Sequence, residues 1–580
     1  MDNEMTTRAL DEKDVSRALA LLRRYKEGKA NLERKIVENE LWYKLRHWEC
    51  MRSAKDDVQP VSGWLFNSIA GKHADAMDNI PAPVVLPREQ GDVGEAQMLS
   101  SILPVILEQN DFEQLYSDVW DYKLKTGTGV YGVFFDPAAS GGLGDICLRK
   151  IDVLNLFWEP GVQDIRDSRN LFHVSLQDNE ALLAAYPELE GRMPGDALGV
   201  THYVYDDKVD TSDKSVVVDW YYKKPRATGG SVLHYAKLVG DTLLYASEND
   251  PERCEKGWYA HGEYPFVFDT LYRAEGTPCG FGFIDVAKDA QAFIDRGNQA
   301  LLKNMLAGAA PRFFIKESGG VNEEEFADLA RDFVHVSGGV NEDNIRPVDV
   351  RTLSPVYVSL INNKIDELKE VTGNRDVSAG GTAGGVTAAS AIAAMQEAGS
   401  KLSRDNNRAS HRAFRRICLQ IIELIREFYD LPRCFRIVGE DGADQFLTYS
   451  NEHLRPRHQG MAFGVDMGYR LPLFDVQVTS QKASPYSRLS QNELALQFFG
   501  AGFFDPARAE QALACLDMMD FDRKDGVMRA VTRARDAYAA GATGSVAPLT
   551  KLPDSLVGQG KESKLTKKAR ERVANGPTPT

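Results

Sequence analysis

Apolar and polar positions along the chain change their spacing several times, and each change predicts a different kind of element. Residues 11–49 and 95–125 carry apolar side chains every three or four residues, which predicts helices. From 128 to about 275, runs such as VYGVFFDP and KSVVVDWYYKK alternate apolar with polar residues between turn-forming residues. This alternation predicts antiparallel strands, so the expected fold class is α+β.

Two later segments, 281–308 and 353–376, have narrow apolar seams with polar residues elsewhere. Such seams predict two long helices that pack on one side, as an antiparallel pair. The seam residues are Phe283, Val286, Ala290 and Phe293 in the first segment and Val358, Ile361, Ile365 and Leu368 in the second.

Between these helices the chain has room for a small insert of strand, short helix and strands. From Pro311 to Val350 this insert has a formal charge of −5. A module of this size buries little core by itself, so it should be stabilised by copies of itself or by a partner protein.

Four glycines follow the second helix within six residues, in the sequence VTGNRDVSAGGTAGGVTAASAIAAMQ. Ordering such a run is entropically costly, so it should be a linker or a loop whose mobility has a use. A helix is predicted over 387–429, strands over 434–482 and helices over 486–539. Residues 541–580 are rich in Gly, Pro, Ser and Lys, which is typical of a disordered tail.

Composition narrows the functional classes. The net charge is −15, and most of the chain has no basic bias, so sequence-specific DNA recognition is disfavoured. The polar, acidic N-terminus and the absence of a long apolar run predict a soluble, cytosolic product with no membrane contact. Seven scattered cysteines indicate buried, reduced thiols rather than disulfides, and the ten histidines suggest no metal site.

Enzymatic motifs are mostly missing. Residues 127–132, GTGVYG, satisfy GxGxxG, but a helical pattern precedes them and a strand pattern follows, which is the reverse of a dinucleotide site. A helix C-cap that leads into a strand explains the glycines better. No phosphate-binding loop, nucleophile elbow or kinase signature occurs. No cofactor is therefore expected, and an enzyme is the minority hypothesis.

The order of these parts resembles the portal, or head-to-tail connector, protein of tailed bacteriophages. The resemblance covers most of residues 1–540. It rests on that order and on three phrases, SGWLFNSIAGKHADAM, the helix–GTG–strand turn at 126–135 and the glycine-rich VTGNRDVSAGGTAGGVTAASAIAAMQ. It implies a multidomain α+β subunit with a wing, a two-helix stem, a small α/β clip and a helical crown, twelve copies of which form a ring.

The resemblance assigns each segment a place in that subunit. The implied segments are wing 1–280, first stem helix 281–308, clip 309–352, second stem helix 353–376, tunnel loop 377–386, wing 387–485, crown 486–540 and a flexible basic tail 541–580.

It also implies functional residues. The tunnel loop would include Ser378, Gly380, Gly381, Thr382, Gly384 and Gly385, which are small, uncharged and able to change shape as DNA passes. Lys364 and Arg375 are candidates to face the channel. The alternative is an ordinary ion pair on the helix surface, for which Lys364 has a partner in Glu367. Glu323, Glu324, Glu325 and Arg331 are candidate clip contacts to the motor or neck. The candidate DNA contacts in the tail are Lys564, Lys567, Lys568 and Arg570. The alternative is a solvated, disordered tail.

The implied function is a channel at one capsid vertex for genome packaging and ejection, without catalysis of its own. The implied partners are further copies of the chain, the terminase large subunit, major capsid and scaffolding proteins, neck or adaptor proteins, and double-stranded DNA bound without sequence specificity. The implied location is the virion, and the host cytoplasm during assembly. The alternatives are a soluble intracellular enzyme with a glycine-rich lid loop and a monomeric or small-oligomer scaffold or adaptor.

Overall fold

The structure is a computed structural model. It describes residues 9–52, 57–192, 212–226, 230–309, 313–315, 320, 322–327, 334–337, 345–348, 354–373, 401–438, 444–459, 461–462, 465–466, 468–482, 495–517 and 524–542. The chain divides into two compact units, Met1–Ala483 and Ser484–Thr580.

Most of the long helices lie where the apolar spacing predicts them. They are α1 (Glu12–Tyr43), α2 (His47–Cys50), α3 (Trp64–Met77), α4 (Val93–Gln109), α5 (Phe112–Thr126), α6 (Asn179–Ala185), α7 (Phe283–Ala309), α8 (Glu323–Ala327), α9 (Pro355–Thr372), α10 (Lys401–Phe428), α11 (Ala509–Asp517) and α12 (Lys524–Ala542). α1 begins with a capping box in which the Asp11 carboxylate accepts from the amides of Lys13 and Asp14.

Strands are concentrated between α5 and α7 and recur after α10. They are β1 (Asn79–Pro87), β2 (Thr128–Asp136), β3 (Asp145–Ile151), β4 (Leu156–Trp158), β5 (Asn170–Asp178), β6 (Lys214–Pro225), β7 (Ser231–Val239), β8 (Thr242–Ala246), β9 (Phe266–Thr270), β10 (Tyr272–Arg273), β11 (Gly280–Phe281), β12 (Phe313–Ile315), β13 (Ile345–Pro347), β14 (Arg433–Val438), β15 (Asp444–Tyr449), β16 (Arg457–His458), β17 (Met461–Ala462), β18 (Val465–Asp466), β19 (Tyr469–Arg470) and β20 (Phe474–Lys482).

The largest sheet has the strand order β4-β5-β6-β7-β8, and every neighbouring pair is antiparallel. Side chains alternate between its faces, because successive residues of a strand point in opposite directions. Phe172 and Val174 pack with Leu22 of α1, whereas Leu171 joins the main core of the unit. The predicted antiparallel α+β organisation is confirmed.

The main core of the first unit lies among α4, α5, α10 and the sheet β3-β2-β9. Phe112 of α5 contacts Phe414 of α10, with ring centroids 5.2 Å apart. The single helix predicted over 95–125 is wrong. The chain forms α4 and α5 instead, because Asp111 adopts a left-handed conformation with φ of 48° and ends the helical path between them.

The predicted burial of the cysteines is mostly wrong. All seven thiols are free, but only Cys279 and Cys418 are buried, and Cys434 is exposed. Burial raises the pKa of Cys279 to about 12, so this thiol is unreactive near neutral pH.

The second unit has a small core of its own. Phe498, Leu516 of α11 and Val531 of α12 are buried there, together with Ala509 and Ala512. Asp505 caps the turn before α11 by accepting from the amide of Ala507, as the Asp-Pro sequence predicts.

Candidate functional site: the paired helices and their attachment

α7 and α9 pack against each other, as their apolar seams predict. α9 begins at Pro355 after Ser354, whose hydroxyl accepts from the Val356 amide, and Gly373 ends it with φ of 66°. Gly297 of α7 faces Ile361 of α9, where an added Cβ would lie 2.9 Å from the isoleucine side chain. The missing side chain at Gly297 therefore allows the two helices to approach closely.

The predicted seams are only partly the buried faces. Phe283, Ile361 and Leu368 are buried, but Val286, Phe293 and Val358 are 44%, 39% and 48% exposed. The buried face of α7 contains Ile284, Ala287 and Ile294, and also the polar residues Gln291 and Asp295. Apolar periodicity does not predict this face as buried, because polar side chains interrupt it.

Asp295 is the centre of a group of polar side chains, here called the Asp295 cluster (His47, Ser62, Gln291 and Asp295), of which all but the partly exposed Ser62 are fully buried. The Asp295 carboxylate lies 2.5 Å from His47 Nδ1 and accepts from the Ser62 hydroxyl at 2.7 Å. Gln291 Nε2 donates to the same carboxylate at 3.0 Å and to the Ser62 carbonyl at 2.8 Å. The cluster connects α7 to α2 and to the segment before α3.

Hydrogen-bond geometry limits where the protons of this cluster lie. His47 Nε2 is 2.9 Å from the Trp42 carbonyl oxygen, which can only accept, so Nε2 carries a proton. Nδ1 faces the Asp295 carboxylate at 2.5 Å, and both side chains are fully buried.

A second buried group, here called the Lys123 cluster, connects α10 to the body (Lys123, Asp269 and Ser410). Lys123 Nζ donates to Asp269 at 2.7 Å and to the Ser410 hydroxyl at 2.8 Å, and Ser410 donates to Asp269 at 2.6 Å. Burial lowers the pKa of Lys123, and the Asp269 carboxylate opposes that effect. Removing either charge would leave the other buried without its partner, so α5, β9 and α10 are held together at this point.

The glycines of GTGVYG have packing roles. Gly127 is the left-handed C-cap of α5, with φ of 89°, and an added Cβ would lie 2.3 Å from the Phe281 carbonyl carbon. At Gly129 it would lie 2.3 Å from a Val119 methyl group. The predicted helix C-cap leading into a strand is confirmed, since β2 begins at Thr128.

Within the described parts of the chain, no group of three or more His, Cys, Asp or Glu side chains is arranged to hold a metal ion. Among the same residues, none of the helices is both long and apolar enough to cross a lipid bilayer.

Residues 73–551, well over half of the 580-residue chain, match the family model of phage P22-like portal proteins. The chain belongs to this family. No curated protein matches it.

Membership assigns the chain its function. It is a portal protein of a tailed bacteriophage, the head–tail connector at a capsid vertex. The family is structural and non-enzymatic, and it comprises capsid-associated oligomeric proteins that interact with terminase and neck proteins. Nothing supports the alternative of an enzyme with a glycine-rich lid.

Several residues that the portal resemblance singles out lie outside the described residues. They are Ser378, Gly380, Gly381, Thr382, Gly384, Gly385, Arg375, Arg331, Lys564, Lys567, Lys568 and Arg570. Lys364 is described, and its ammonium group lies 2.5 Å from Glu367 and 5.8 Å from the centre of the Phe293 ring. The helix-surface pairing expected for Lys364 is thus present, and its facing the channel stays a prediction.

The described parts of the insert include β12, α8 and β13, with β12 and β13 paired antiparallel. Glu323 and Glu324 are exposed at the start of α8. Glu325 instead accepts from the His335 amide at 2.7 Å and lies 2.8 Å from its Nδ1 atom. Of the three glutamates, Glu325 thus has an internal role, whereas Glu323 and Glu324 stay candidates for partner contact.

The sequence patterns did not predict the Asp295 and Lys123 clusters. One signal was available, since Gln291 and Asp295 are four residues apart and share a helical face with Ala287. Polar residues inside a predicted buried face indicate a specific network. Their partners, from distant segments, are not encoded in any local pattern.

Proposed function

We propose that copies of this chain, twelve in number, form a ring whose central channel passes double-stranded DNA during packaging and ejection. In this proposal α7 and α9 are the stem, residues 309–352 the clip that meets the terminase large subunit and later the neck or adaptor proteins, and 377–386 the tunnel loop. Residues 1–280 and 387–485 form the wing next to major capsid and scaffolding proteins, 486–540 the crown, and 541–580 a tail near packaged DNA.

One observation carries the proposal of a ring. The Asp295 cluster joins α7 to α2 and to the segment before α3, whereas other faces of α7 and α9 carry large exposed apolar side chains. Val356, Tyr357 and Leu360 of α9 are 68%, 52% and 41% exposed, and Met305 of α7 is 61% exposed. Apolar side chains concentrated on neighbouring helix faces are typical of surfaces that another protein covers. A head-to-tail contact between copies covers them and closes into a ring.

The proposal includes no catalytic step for this chain. Channel walls that repel phosphate suit a conduit, and the formal charge of −15 per subunit favours weak contact with DNA over most of the surface. ATP hydrolysis belongs to the terminase motor. The subunit is located at the capsid vertex of the virion and passes through the host cytoplasm during assembly.

The test is the mass and symmetry of the purified protein, by mass photometry and negative-stain top views. Twelve copies of the 64.4 kDa chain give about 770 kDa, with a central hole wide enough for a duplex. A variant with V356D and L360D should stay folded and lose the ring, because each carboxylate would be desolvated at the contact.

The matched control adds the same charges at exposed polar positions of the same helix, as N362D and N363D. This control should form rings. A wild-type protein that stays monomeric across concentration and salt contradicts the proposed ring, and equal assembly of both variants contradicts the proposed contact surface.

A further inference from the structure

The first half of α10 is strongly basic in an otherwise acidic chain. Residues 401–416 contain six basic residues and one acidic residue, Asp405. Arg404, Arg408, Arg412 and Arg415 are exposed and are spaced by four, four and three residues. This spacing places them on one face of the helix, over about 16 Å of its length. They are here called the arginine row.

Two members of the row have no counter-ion among the residues that the structure describes. Arg408 and Arg412 make no hydrogen bond or ion pair with any residue of the described segments. Arg415 contacts Asp475 at 3.2 Å, but that carboxylate also accepts two hydrogen bonds from Arg88, at 3.0 and 3.1 Å. Like charges four residues apart on a helix repel each other, so Arg408 and Arg412 destabilise α10 unless an anion neutralises them.

A groove runs beside the row. It has a volume of about 420 Å³ and lies between α10 and the β1–β20 ribbon, with His411, Arg412 and Arg415 on one side and Asp475 and Gln477 on the other. His411 Nε2 is buried and has no hydrogen-bond partner among the described residues. Burial lowers the pKa of His411, against the opposing effect of Asp269, so the ring is neutral near pH 7. A neutral imidazole can still donate one hydrogen bond to an anion.

We propose that the arginine row binds the phosphate backbone of double-stranded DNA. Each strand of a duplex presents one phosphate charge about every 3.4 Å of the helix axis, so a row of guanidinium groups about 16 Å long lies near several phosphates in any register. Guanidinium groups suit phosphate oxygens because they can donate two hydrogen bonds at once. Such contacts carry no sequence information, and DNA can slide along them. The inference rests on the proposed function, which brings DNA through a ring of these subunits.

The acidic surface of a second copy is the competing partner. DNA fits the arginine row better than such a surface does, because the charges of the row are regularly spaced along a straight line and Arg408 and Arg412 are both exposed. Contacts between protein surfaces instead need complementary shape and are usually centred on apolar or aromatic residues.

The experiment measures binding of a duplex of about 30 base pairs by fluorescence anisotropy, between about 50 and 200 mM salt. The variant is R408Q/R412Q. It should form rings as the wild type does, bind the duplex at least about tenfold more weakly at the lowest salt, and show a salt dependence of log K that is shallower by about two. Its melting temperature should be unchanged or higher, because the repulsion within α10 is reduced.

The control is R23Q/R24Q, which removes the same charge from two exposed positions of α1. Its affinity and salt dependence should match the wild type. The inference is wrong if R408Q/R412Q leaves the salt dependence unchanged, or if it loses the ring, which would assign the row to a contact between copies. Absence of rings in the wild type would instead contradict the proposed function. Binding of the duplex by the unassembled subunit would then still test the arginine row.

Discussion

A single partly buried residue in this portal protein, His261, affects stability through its protonation as well as its packing. His261 stacks on Tyr259 with ring centroids 5.3 Å apart, and its Nδ1 atom accepts from the Glu263 amide at 3.1 Å. Burial lowers the pKa of His261 to about 4. An accepting Nδ1 atom also fits the neutral ring, because a proton there would break the bond from Glu263.

This histidine predicts a pH effect on stability. Between pH 6.5 and about 4 the unfolded chain binds a proton at His261 that the folded chain does not, so the free energy of unfolding falls as the pH falls. The loss should reach about 2–3 kcal/mol at pH 4.5, at 1.36 kcal/mol per pKa unit. H261Q keeps a hydrogen-bond acceptor and removes the charge, so urea denaturation at pH 7 and 4.5 should show a smaller loss than in the wild type.

The matched control is H453Q at an exposed histidine. It should lose stability on acidification as the wild type does. Equal pH dependence of H261Q and H453Q would show that His261 is protonated equally in the folded and unfolded chains.

Elements in this fold are connected by turns whose geometry tolerates little change. The turn from α5 to β2 has Gly127 at its centre, where the amide donates to the Lys123 carbonyl at 2.8 Å and the carbonyl accepts from Leu271 at 2.9 Å. The backbone of β11 lies against this glycine. The helix, the strand and the segment that leads into α7 therefore depend on one residue without a side chain.

Gly127 provides a prediction for this turn. G127A should lower the free energy of unfolding by about 3–5 kcal/mol, since left-handed strain and a backbone overlap add together. G276A is the control, because Gly276 also has a positive φ, 75°, but nothing within 4 Å of an added Cβ. It should cost about 1–2 kcal/mol. Thermal melting of both variants is the measurement, and equal melting temperatures would contradict the role of the overlap.

The whole molecule consists of two units with separate cores. Leu516 is fully buried in the second unit, where it packs with Phe498 and Val531. Because the second unit has a core of its own, we expect it to unfold independently of the first.

The cost of a cavity in that core tests this independence. L516A should destabilise the second unit by about 2–5 kcal/mol and increase amide hydrogen exchange in 495–517 and 524–542. Exchange in β2 should stay unchanged. L496A, at a leucine that is 71% exposed in the same unit, is the control and should change neither. Faster exchange in β2 of L516A would show that the two units unfold together.

Much of the architecture and the family could be predicted from the sequence, because the patterns that indicate them are local. Helical and strand periodicity predicted α1, α7, α9 and the antiparallel sheet, and the reversed order of helix and strand around Gly127 excluded a dinucleotide site. The order of elements and three short phrases indicated the portal family, which the family match confirms. Such patterns need only neighbours in the chain to be interpreted.

Which helix faces are buried, and which polar side chains form hydrogen bonds with each other, became known only from the packing in three dimensions. Asp295 pairs with His47 across 248 positions and Lys123 with Asp269 across 146, and no local pattern encodes those pairings. The arginine row was hidden within an acidic total, since net charge sums over the whole surface while a helix places selected charges on one face. Burial and contact arise from packing between distant segments, which is why sequence spacing alone misassigned Val286, Phe293 and Val358.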